Sequence, residues 1–146
     1  MRFSIIAVGK VKQRGLRTEL DDYLGRIRRY CPCDEVELKD APEADLRARF
    51  ERTRPARGRV VALEVGGDAW DSHRLAKFVD RCEQDAVAQV NWLIGGAYGL
   101  PAATSAAADL RLSLSPMILP HRIARLVLAE QLYRAFTILR NEPYSH

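Results

Sequence analysis

The sequence has no hydrophobic run long enough to cross a membrane or to serve as a signal peptide. Its first apolar run, residues 5–8 preceded by Phe3, is far shorter than the ~20 residues of a transmembrane helix. A signal peptide needs a longer apolar stretch followed by a cleavage site of small residues. The chain is therefore predicted to be soluble and cytoplasmic, with no membrane partner.

Cysteine is scarce, and the cysteines do not form a metal-binding pattern. Cys31, Cys33 and Cys82 are odd in number and cannot all form disulfides, which fits a reducing compartment. Cys31 and Cys33 are closer in sequence than the usual ligand pair of a zinc site, and no second Cys/His cluster completes four ligands. We therefore expect no bound metal, and a turn around Pro32 that leads into a strand.

A large excess of one charge is also missing. The 146 residues include 23 basic and 19 acidic side chains, which gives a net charge of +4. This surplus permits a polyanionic partner without requiring one. With 47% hydrophobic and 29% charged residues and no repeat or long linker, the chain is typical of a single globular domain spanning residues 1–146.

What the sequence does contain is a regular alternation of strand and helix patterns. Strands are predicted at residues 2–8, 36–38, 60–65, 90–94 and 110–114, and helices at 16–30, 42–53, from 71 or 72 to about 88, briefly from 100–101, and at 122–139. The alternation predicts an α/β fold whose mostly parallel sheet has helices on both faces. Ligands of such sheets bind beyond the carboxyl ends of the strands, which here means the loops after Val65, Ile94 and Leu114.

Three glycines follow the fourth strand, at Gly95, Gly96 and Gly99. Glycine lets the main chain approach a ligand closely, although a tight strand-to-helix turn explains the same pattern. Neither the Gly-Lys-Ser/Thr ending of a phosphate loop nor a dinucleotide fingerprint after the first strand is present. Both nucleotide interpretations are therefore disfavoured.

The loop after the fifth strand is apolar. Residues 117–119 are Met-Ile-Leu, and Pro116 and Pro120 keep them out of a central strand or a helix interior. Such a loop either packs into the core or lines a pocket for a flat, apolar-faced group such as adenine.

The last predicted helix is apolar around much of its circumference, which indicates deep burial or contact with a second chain. Glu130 and Arg134 stand one turn apart on it. They form either an ordinary surface pair or a site in which Arg134 meets an RNA phosphate or a cofactor carboxylate.

Several motifs, in order along nearly the whole chain, resemble the RlmH family. They are Leu-Ile-Gly-Gly-x-x-Gly-Leu at 93–100, Leu-Ser-Leu-Ser-x-x-x-Leu-Pro-His at 112–121, Ala-Glu-Gln-Leu-Tyr-Arg-Ala at 129–135 and Asn-x-Pro-Tyr at 141–144, together with the opening Ala-Val-Gly-Lys and Trp70-Asp71. Each motif is weak alone, but the set is specific.

The resemblance implies a SPOUT-class methyltransferase with a carboxyl-terminal trefoil knot. It implies transfer of a methyl group from S-adenosylmethionine to N3 of a pseudouridine in large-subunit (23S) ribosomal RNA, within the assembled ribosome. It also implies a homodimer.

The resemblance also implies a set of site residues. The family's cofactor contacts fall on Leu63, Gly95, Leu114, Ser115, Pro116, Met117, Ile118 and Leu119. His121, Arg134 and Tyr144 match positions near the family's reaction site. The tail departs from the family pattern, which usually ends Tyr-His-Arg: Ser145 and His146 follow Tyr144 here, so the histidine is displaced by one position and the arginine is missing.

The hypothesis from these residues is an in-line methyl transfer to N3, whose proton leaves as or before the nitrogen attacks. His121 and His146 are the candidate general bases, and Tyr144 is a candidate for orienting or stacking on the RNA base. RNA contacts are expected from one of two sets of arginines, with at least half of these side chains forming a solvated face. The sets are Arg17, Arg26, Arg28 and Arg29, or Arg47, Arg49, Arg52, Arg54, Arg57 and Arg59.

Two other classes of protein stay open at this point. The altered tail leaves room for a non-catalytic ribosome-binding or assembly factor. A flavodoxin-like or dinucleotide-binding protein is the second alternative, and the missing phosphate fingerprint argues against it.

Overall fold

The computed structural model describes residues 1–54 and 57–144. Its elements are, in chain order, β1 (Arg2–Val8), α1 (Arg14–Ile27), β2 (Cys33–Leu38), α2 (Glu43–Thr53), β3 (Arg59–Ala69), α3 (Ser72–Gln84), β4 (Gln89–Ile94), α4 (Ala102–Ala106), β5 (Leu110–Ser113) and α5 (His121–Leu139). Of the candidate site residues, only His146 lies outside the described ranges.

The five strands form one parallel sheet in the order β2-β1-β4-β3-β5. Because every strand is parallel, all carboxyl ends lie at one edge, which we call the carboxyl edge. The predicted α/β class is confirmed.

Alternate residues of each strand divide the core into two layers. On β1, Phe3 and Ile5 face the layer that holds α1, α3 and α5, while Ile6 and Val8 face α2. The first layer contains the fully buried Trp92, and the second contains the fully buried Phe50 of α2. Helices therefore cover both faces, as predicted.

The third strand is longer than expected. Gly66, Gly67 and Asp68 were predicted to end it at Val65, but the strand continues to Ala69, which pairs with Ser113 of β5 after an irregularity that begins at Leu63. A Cβ on Gly67 would lie 2.7 Å from the Arg111 backbone, so this glycine permits the close pairing that resumes the strand.

Some predicted boundaries also move. The second strand begins at Cys33 rather than at residue 36, and α3 ends at Gln84 rather than near residue 88. Helix α3 stops early because Ala86 adopts a positive φ of 53° and the Val87 amide donates to the Cys82 carbonyl, a left-handed helix end.

The three cysteines are buried and free. Burial raises the pKa of the Cys31 thiol to about 11 and that of Cys33 to about 12. The chain bends around Pro32 into β2, as predicted.

Among the described residues, no group of three or more His, Cys, Asp or Glu side chains is placed to hold a metal ion. No helix in the same ranges is long and apolar enough to cross a membrane.

Candidate active site

A cavity of about 560 Å³, which we call the strand-end slot, opens at the carboxyl edge beyond β3, β4 and β5. This volume lies within the range of small-molecule sites. Seven of the eight predicted cofactor residues line it: Leu63, Gly95, Leu114, Ser115, Met117, Ile118 and Leu119. Pro116 does not line the slot. The structure thus brings together the three strand ends that the sequence singled out.

The glycine loop forms one wall of the slot as a tight turn. The Gly99 amide donates to the Gly96 carbonyl at 3.0 Å, and Gly99 has a φ of +80°. The loop folds back onto Gly95 so closely that a Cβ there would lie 2.2 Å from the Gly99 carbonyl carbon and 2.4 Å from the Leu100 nitrogen. The tight turn is therefore present, and it also brings bare main chain to the wall of the slot.

The slot is bordered by uncovered apolar side chains. Among the described residues, the exposed large hydrophobic side chains are Val65 (47% exposed), Met117 (75%), Ile118 (85%) and Tyr98 (100%). Val65, in the irregular part of β3, lines the slot together with Met117 and Ile118 of the loop after β5, and Tyr98 lies in the glycine loop beside it. The alternative that the apolar loop packs into the core is wrong for Met117 and Ile118. A concentration of exposed apolar surface at one edge indicates a binding site.

Serine side chains hold the loop after β5 in shape. The Ser113 hydroxyl donates to the Ser115 carbonyl at 3.0 Å, and the Ser115 hydroxyl accepts from the Met117 amide at 2.9 Å. The apolar side chains are therefore presented by a braced loop.

His121 is the first residue of α5 and lines the slot. Burial lowers the pKa of His121, and the positive charges of Arg125 and Arg122 lower it further. Its Nδ1 is buried without a hydrogen-bond partner in the described part of the chain. The imidazole is therefore neutral at pH 7, the form in which one ring nitrogen can act as a proton acceptor.

Behind His121 lies a buried ion cluster that the sequence analysis missed. The Arg125 side chain is fully buried and donates to Glu35 at 2.9 Å, to Glu37 at 2.6 Å and to the Gly9 carbonyl at 3.1 Å. Arg17 donates to Glu35 at 2.6 Å. The cluster ties α5 to the edge strand β2 and to the loop after β1. The one sequence signal was the alternation of Glu35 and Glu37, which places both carboxylates on one face of a strand.

Arg134 and Tyr144 form a second group, which we call the tyrosine–arginine cluster. Arg134 donates to Glu130 at 2.6 Å, so the predicted pair exists. The Tyr144 hydroxyl donates to the same Glu130 oxygen at 3.0 Å and lies 3.4 Å from the Tyr23 hydroxyl. The Tyr144 ring packs edge-on against Tyr133 at 4.6 Å. Burial and these hydrogen bonds raise the pKa of Tyr144 well above its ordinary value, so the phenol stays protonated.

The two groups lie at opposite ends of α5. Thirteen residues separate His121 from Arg134, which corresponds to about 20 Å along the helix axis. Phe136, just beyond Arg134, packs against Phe3 at the start of β1, with ring centroids 5.6 Å apart. The structure therefore places His121 at the slot but Arg134 and Tyr144 toward the opposite edge of the sheet.

Half of the ten arginines considered for RNA binding have a partner among residues 1–54 and 57–144. Arg17, Arg26 and Arg47 form ion pairs with carboxylates, while Arg28 and Arg49 donate to main-chain carbonyls. The ion pairs offset part of the charge that three of these side chains offer to a phosphate, and the carbonyl contacts occupy N–H groups of the other two.

A family model described as a predicted SPOUT methyltransferase matches residues 1–146. Solved structures with the same fold include a probable methylase family protein from Haemophilus influenzae Rd KW20, with a TM-score of 0.59 and 10% identity over 99% of this chain and 70% of that one. Another is a probable methyltransferase from Bordetella pertussis Tohama I, with a TM-score of 0.57 and 14% identity over 92% of this chain and 95% of that one. Fold and family match together define a SPOUT methyltransferase.

Curated relatives narrow the assignment. The ribosomal RNA large subunit methyltransferase H of Sorangium cellulosum is 53% identical over 146 residues, which is the whole of both chains. The protein of the same name from Gemmatimonas aurantiaca is 40% identical and covers 99% of each chain. The chain belongs to the ribosomal RNA large subunit methyltransferase H family, the RlmH family that its motifs resemble.

Proposed function

We propose that this methyltransferase transfers the methyl group of S-adenosylmethionine to N3 of a pseudouridine in large-subunit ribosomal RNA, within the assembled ribosome of the cytoplasm. The observation that carries the proposal is the strand-end slot, where residues around Leu63, Gly95 and Met117 border an open cavity of ligand size. The names of the curated relatives support the RNA substrate. The donor and the target atom come from the family resemblance, as does the trefoil knot.

The residues of the slot fit an adenosine-containing donor. Leu63, Leu114 and Met117 offer apolar surface to the faces of a flat ring, while the main chain around Gly95 offers amide and carbonyl groups to its edge. When bound, S-adenosylmethionine supplies a methyl group on a positively charged sulfur. The eight predicted cofactor residues, Pro116 included, are proposed as its contacts.

The chemistry requires one proton to leave the substrate. A bond forms between N3 and the methyl carbon, the bond from that carbon to sulfur breaks, and the N3 proton moves to a base. His121 is the proposed base because its neutral imidazole lines the slot. A positioned general base contributes about 10²–10⁴-fold to a rate. Arg134 is proposed as a charged donor to the RNA, since the pKa of its guanidinium is raised. Tyr144, whose one O–H is directed at Glu130, is proposed to orient or stack on the RNA base.

The positions of the two residue groups favour a homodimer. One chain keeps the tyrosine–arginine cluster about 20 Å from His121 along α5. A second copy packed against α5 is proposed to bring its cluster to the first copy's slot. Half-buried Ile123 and Val127 on α5 offer apolar surface for that contact.

Two measurements test the proposed function. Calorimetry with S-adenosylmethionine and the pure protein should show one site per chain. Methyl-labelled donor, incubated with ribosomes that lack the modification, should label N3 of a pseudouridine in large-subunit RNA, as read by mass spectrometry. Ribosome binding without label would favour an assembly factor instead. Stabilisation by NAD with indifference to S-adenosylmethionine would favour a dinucleotide-binding protein.

A further inference from the structure

Lysines are concentrated at one place in the fold. Three of the chain's four lysines, Lys10, Lys12 and Lys39, follow the carboxyl ends of β1 and β2 and are exposed. These two ends are joined, since the Gly9 amide donates to the Leu38 carbonyl at 2.8 Å. In residues 1–54 and 57–144, no carboxylate lies within 4 Å of any of the three ammonium groups. We call these three residues the lysine rim.

Hydrogen bonds from the buried ion cluster hold the loop that carries Lys10 and Lys12. Arg125 donates to the Gly9 carbonyl at 3.1 Å, and the Val11 amide donates to Glu37 at 3.1 Å. The main chain on either side of Lys10 is thus anchored by the two members of one ion pair. An anchored loop loses less freedom when it binds a partner.

A second cavity, of about 540 Å³, lies between the lysine rim and the strand-end slot. Tyr98, which is fully exposed, stands on one side of it, and Asp40 and Glu43 stand on the other. The glycine turn is a shared wall, because Gly96 and Gly99 line both cavities. From β2 to β4 is two strand spacings, about 10 Å, so rim, cavity and slot are close neighbours.

We infer that this cavity and the lysine rim bind the stretch of RNA that flanks the methylated nucleotide. The inference rests on the proposed function, which makes RNA the substrate. The carboxylates of Asp40 and Glu43 repel phosphate, so the cavity receives a base, and an amino group on that base donates to a carboxylate. The base stacks on Tyr98, and the neighbouring phosphates lie on the lysine rim.

The phosphate contacts are tested with a triple variant, Lys10→Gln, Lys12→Gln and Lys39→Gln. Its affinity for ribosomes that lack the modification is measured by co-sedimentation over a series of KCl concentrations. Affinity near 0.1 M salt should fall roughly 10- to 100-fold, and the salt slope should become shallower by about 2 to 3. Lys77→Gln, the matched change of the remaining lysine, exposed on α3, should leave both unchanged.

The stacking contact is tested with Tyr98→Ala, which should raise the KM for ribosomes about tenfold, while Tyr98→Phe should keep the wild-type value. Unchanged ribosome affinity and KM in both sets of variants would overturn the inference. An equal loss in Lys77→Gln, or a parallel loss of S-adenosylmethionine affinity, would also overturn it. These outcomes are read against a wild-type protein that labels ribosomes, so failure of the proposed function shows separately as absence of label.

Discussion

The two ends of α5 differ in whether the side chains around them have contact partners within the chain. At the strand-end slot, main chain near Gly95 and exposed Met117 and Ile118 border an open cavity. At the other end, Arg134 and Tyr144 both donate hydrogen bonds to the Glu130 carboxylate. The slot leaves apolar side chains uncovered, whereas the polar side chains of the tyrosine–arginine cluster hydrogen-bond to one another within one chain.

This difference indicates separate tasks for the two regions. Uncovered apolar surface gains free energy when a small molecule covers it, so the slot is suited to binding. A preformed cluster with a charged guanidinium and a protonated phenol costs little reorganisation, so it is suited to orienting a substrate brought to it. The predictions that follow test whether binding and orientation separate in this way.

Gly95→Val should have the largest effect, because its side chain would meet the Gly99 carbonyl carbon and the Leu100 nitrogen. S-adenosylmethionine affinity is expected to fall at least about 100-fold, or ~2.8 kcal/mol, and methyl transfer should be lost. Calorimetry measures the first and label incorporation the second. Gly66→Val is the matched control, since a Cβ there meets nothing within 4 Å. Wild-type affinity in Gly95→Val would remove the glycine turn from the site.

His121→Asn should lower turnover at pH 7.5 about 100-fold. Because the pKa of His121 is lowered, its base form is present above that pKa, and wild-type turnover should fall only as the pH drops below about 6.5. The variant should lack this acid limb. The free energy of unfolding should depend on pH in the same direction. The wild-type protein should lose stability as the pH falls below about 6.5, because there the imidazole takes up a proton in the unfolded chain and not in the folded one. A pH–rate profile and thermal melts from pH 5 to 8 check both, and an acid limb retained in the variant would exclude His121 as the base.

Tyr144→Phe should lower kcat about tenfold without changing the Kd for S-adenosylmethionine, because it removes only the hydroxyl that donates to Glu130. Single-turnover kinetics separate the two quantities. Tyr30→Phe serves as the comparison, since that hydroxyl also donates to a carboxylate, Glu142, at 2.5 Å. A weaker affinity for S-adenosylmethionine in Tyr144→Phe would show that the tyrosine–arginine cluster also contributes to binding at the slot.

Mixing Gly95→Val and Tyr144→Phe subunits should have the smallest but most decisive effect. If one chain's slot works with the partner's cluster, half of the sites in each mixed dimer are intact. Equal mixing then gives about a quarter of wild-type activity, against about a twentieth if each chain works alone. Label incorporation after co-refolding checks this, and the lower value would contradict the shared site.

The sequence predicted the slot better than the cluster for a physical reason. In a parallel sheet the carboxyl ends meet, so the predicted strands at 60–65, 90–94 and 110–114 were enough to bring the loops that follow them to one edge. The predicted helix at 122–139 already implied about 20 Å between His121 and Arg134. No local pattern contained the contacts of Tyr144 with Glu130 and Tyr23 that form the cluster.

Other features depended on tertiary contacts that no local pattern contains. An arginine among apolar residues of a helix is usually exposed, yet Arg125 is buried because Glu35 and Glu37 of β2 reach it. Gly66 and Gly67 are typical of a strand end, yet pairing with β5 carries β3 past them. The order of the strands in the sheet likewise depends on contacts between elements, which local sequence patterns do not contain.

The three buried thiols allow local unfolding of this protein to be measured. Cys31, Cys33 and Cys82 have raised pKa values and are at most 7% exposed while the sheet and α3 stay packed. Alkylation therefore proceeds only through molecules that have transiently unfolded at this end. The rate of thiol labelling then gives the local opening free energy near the tyrosine–arginine cluster, with no added probe.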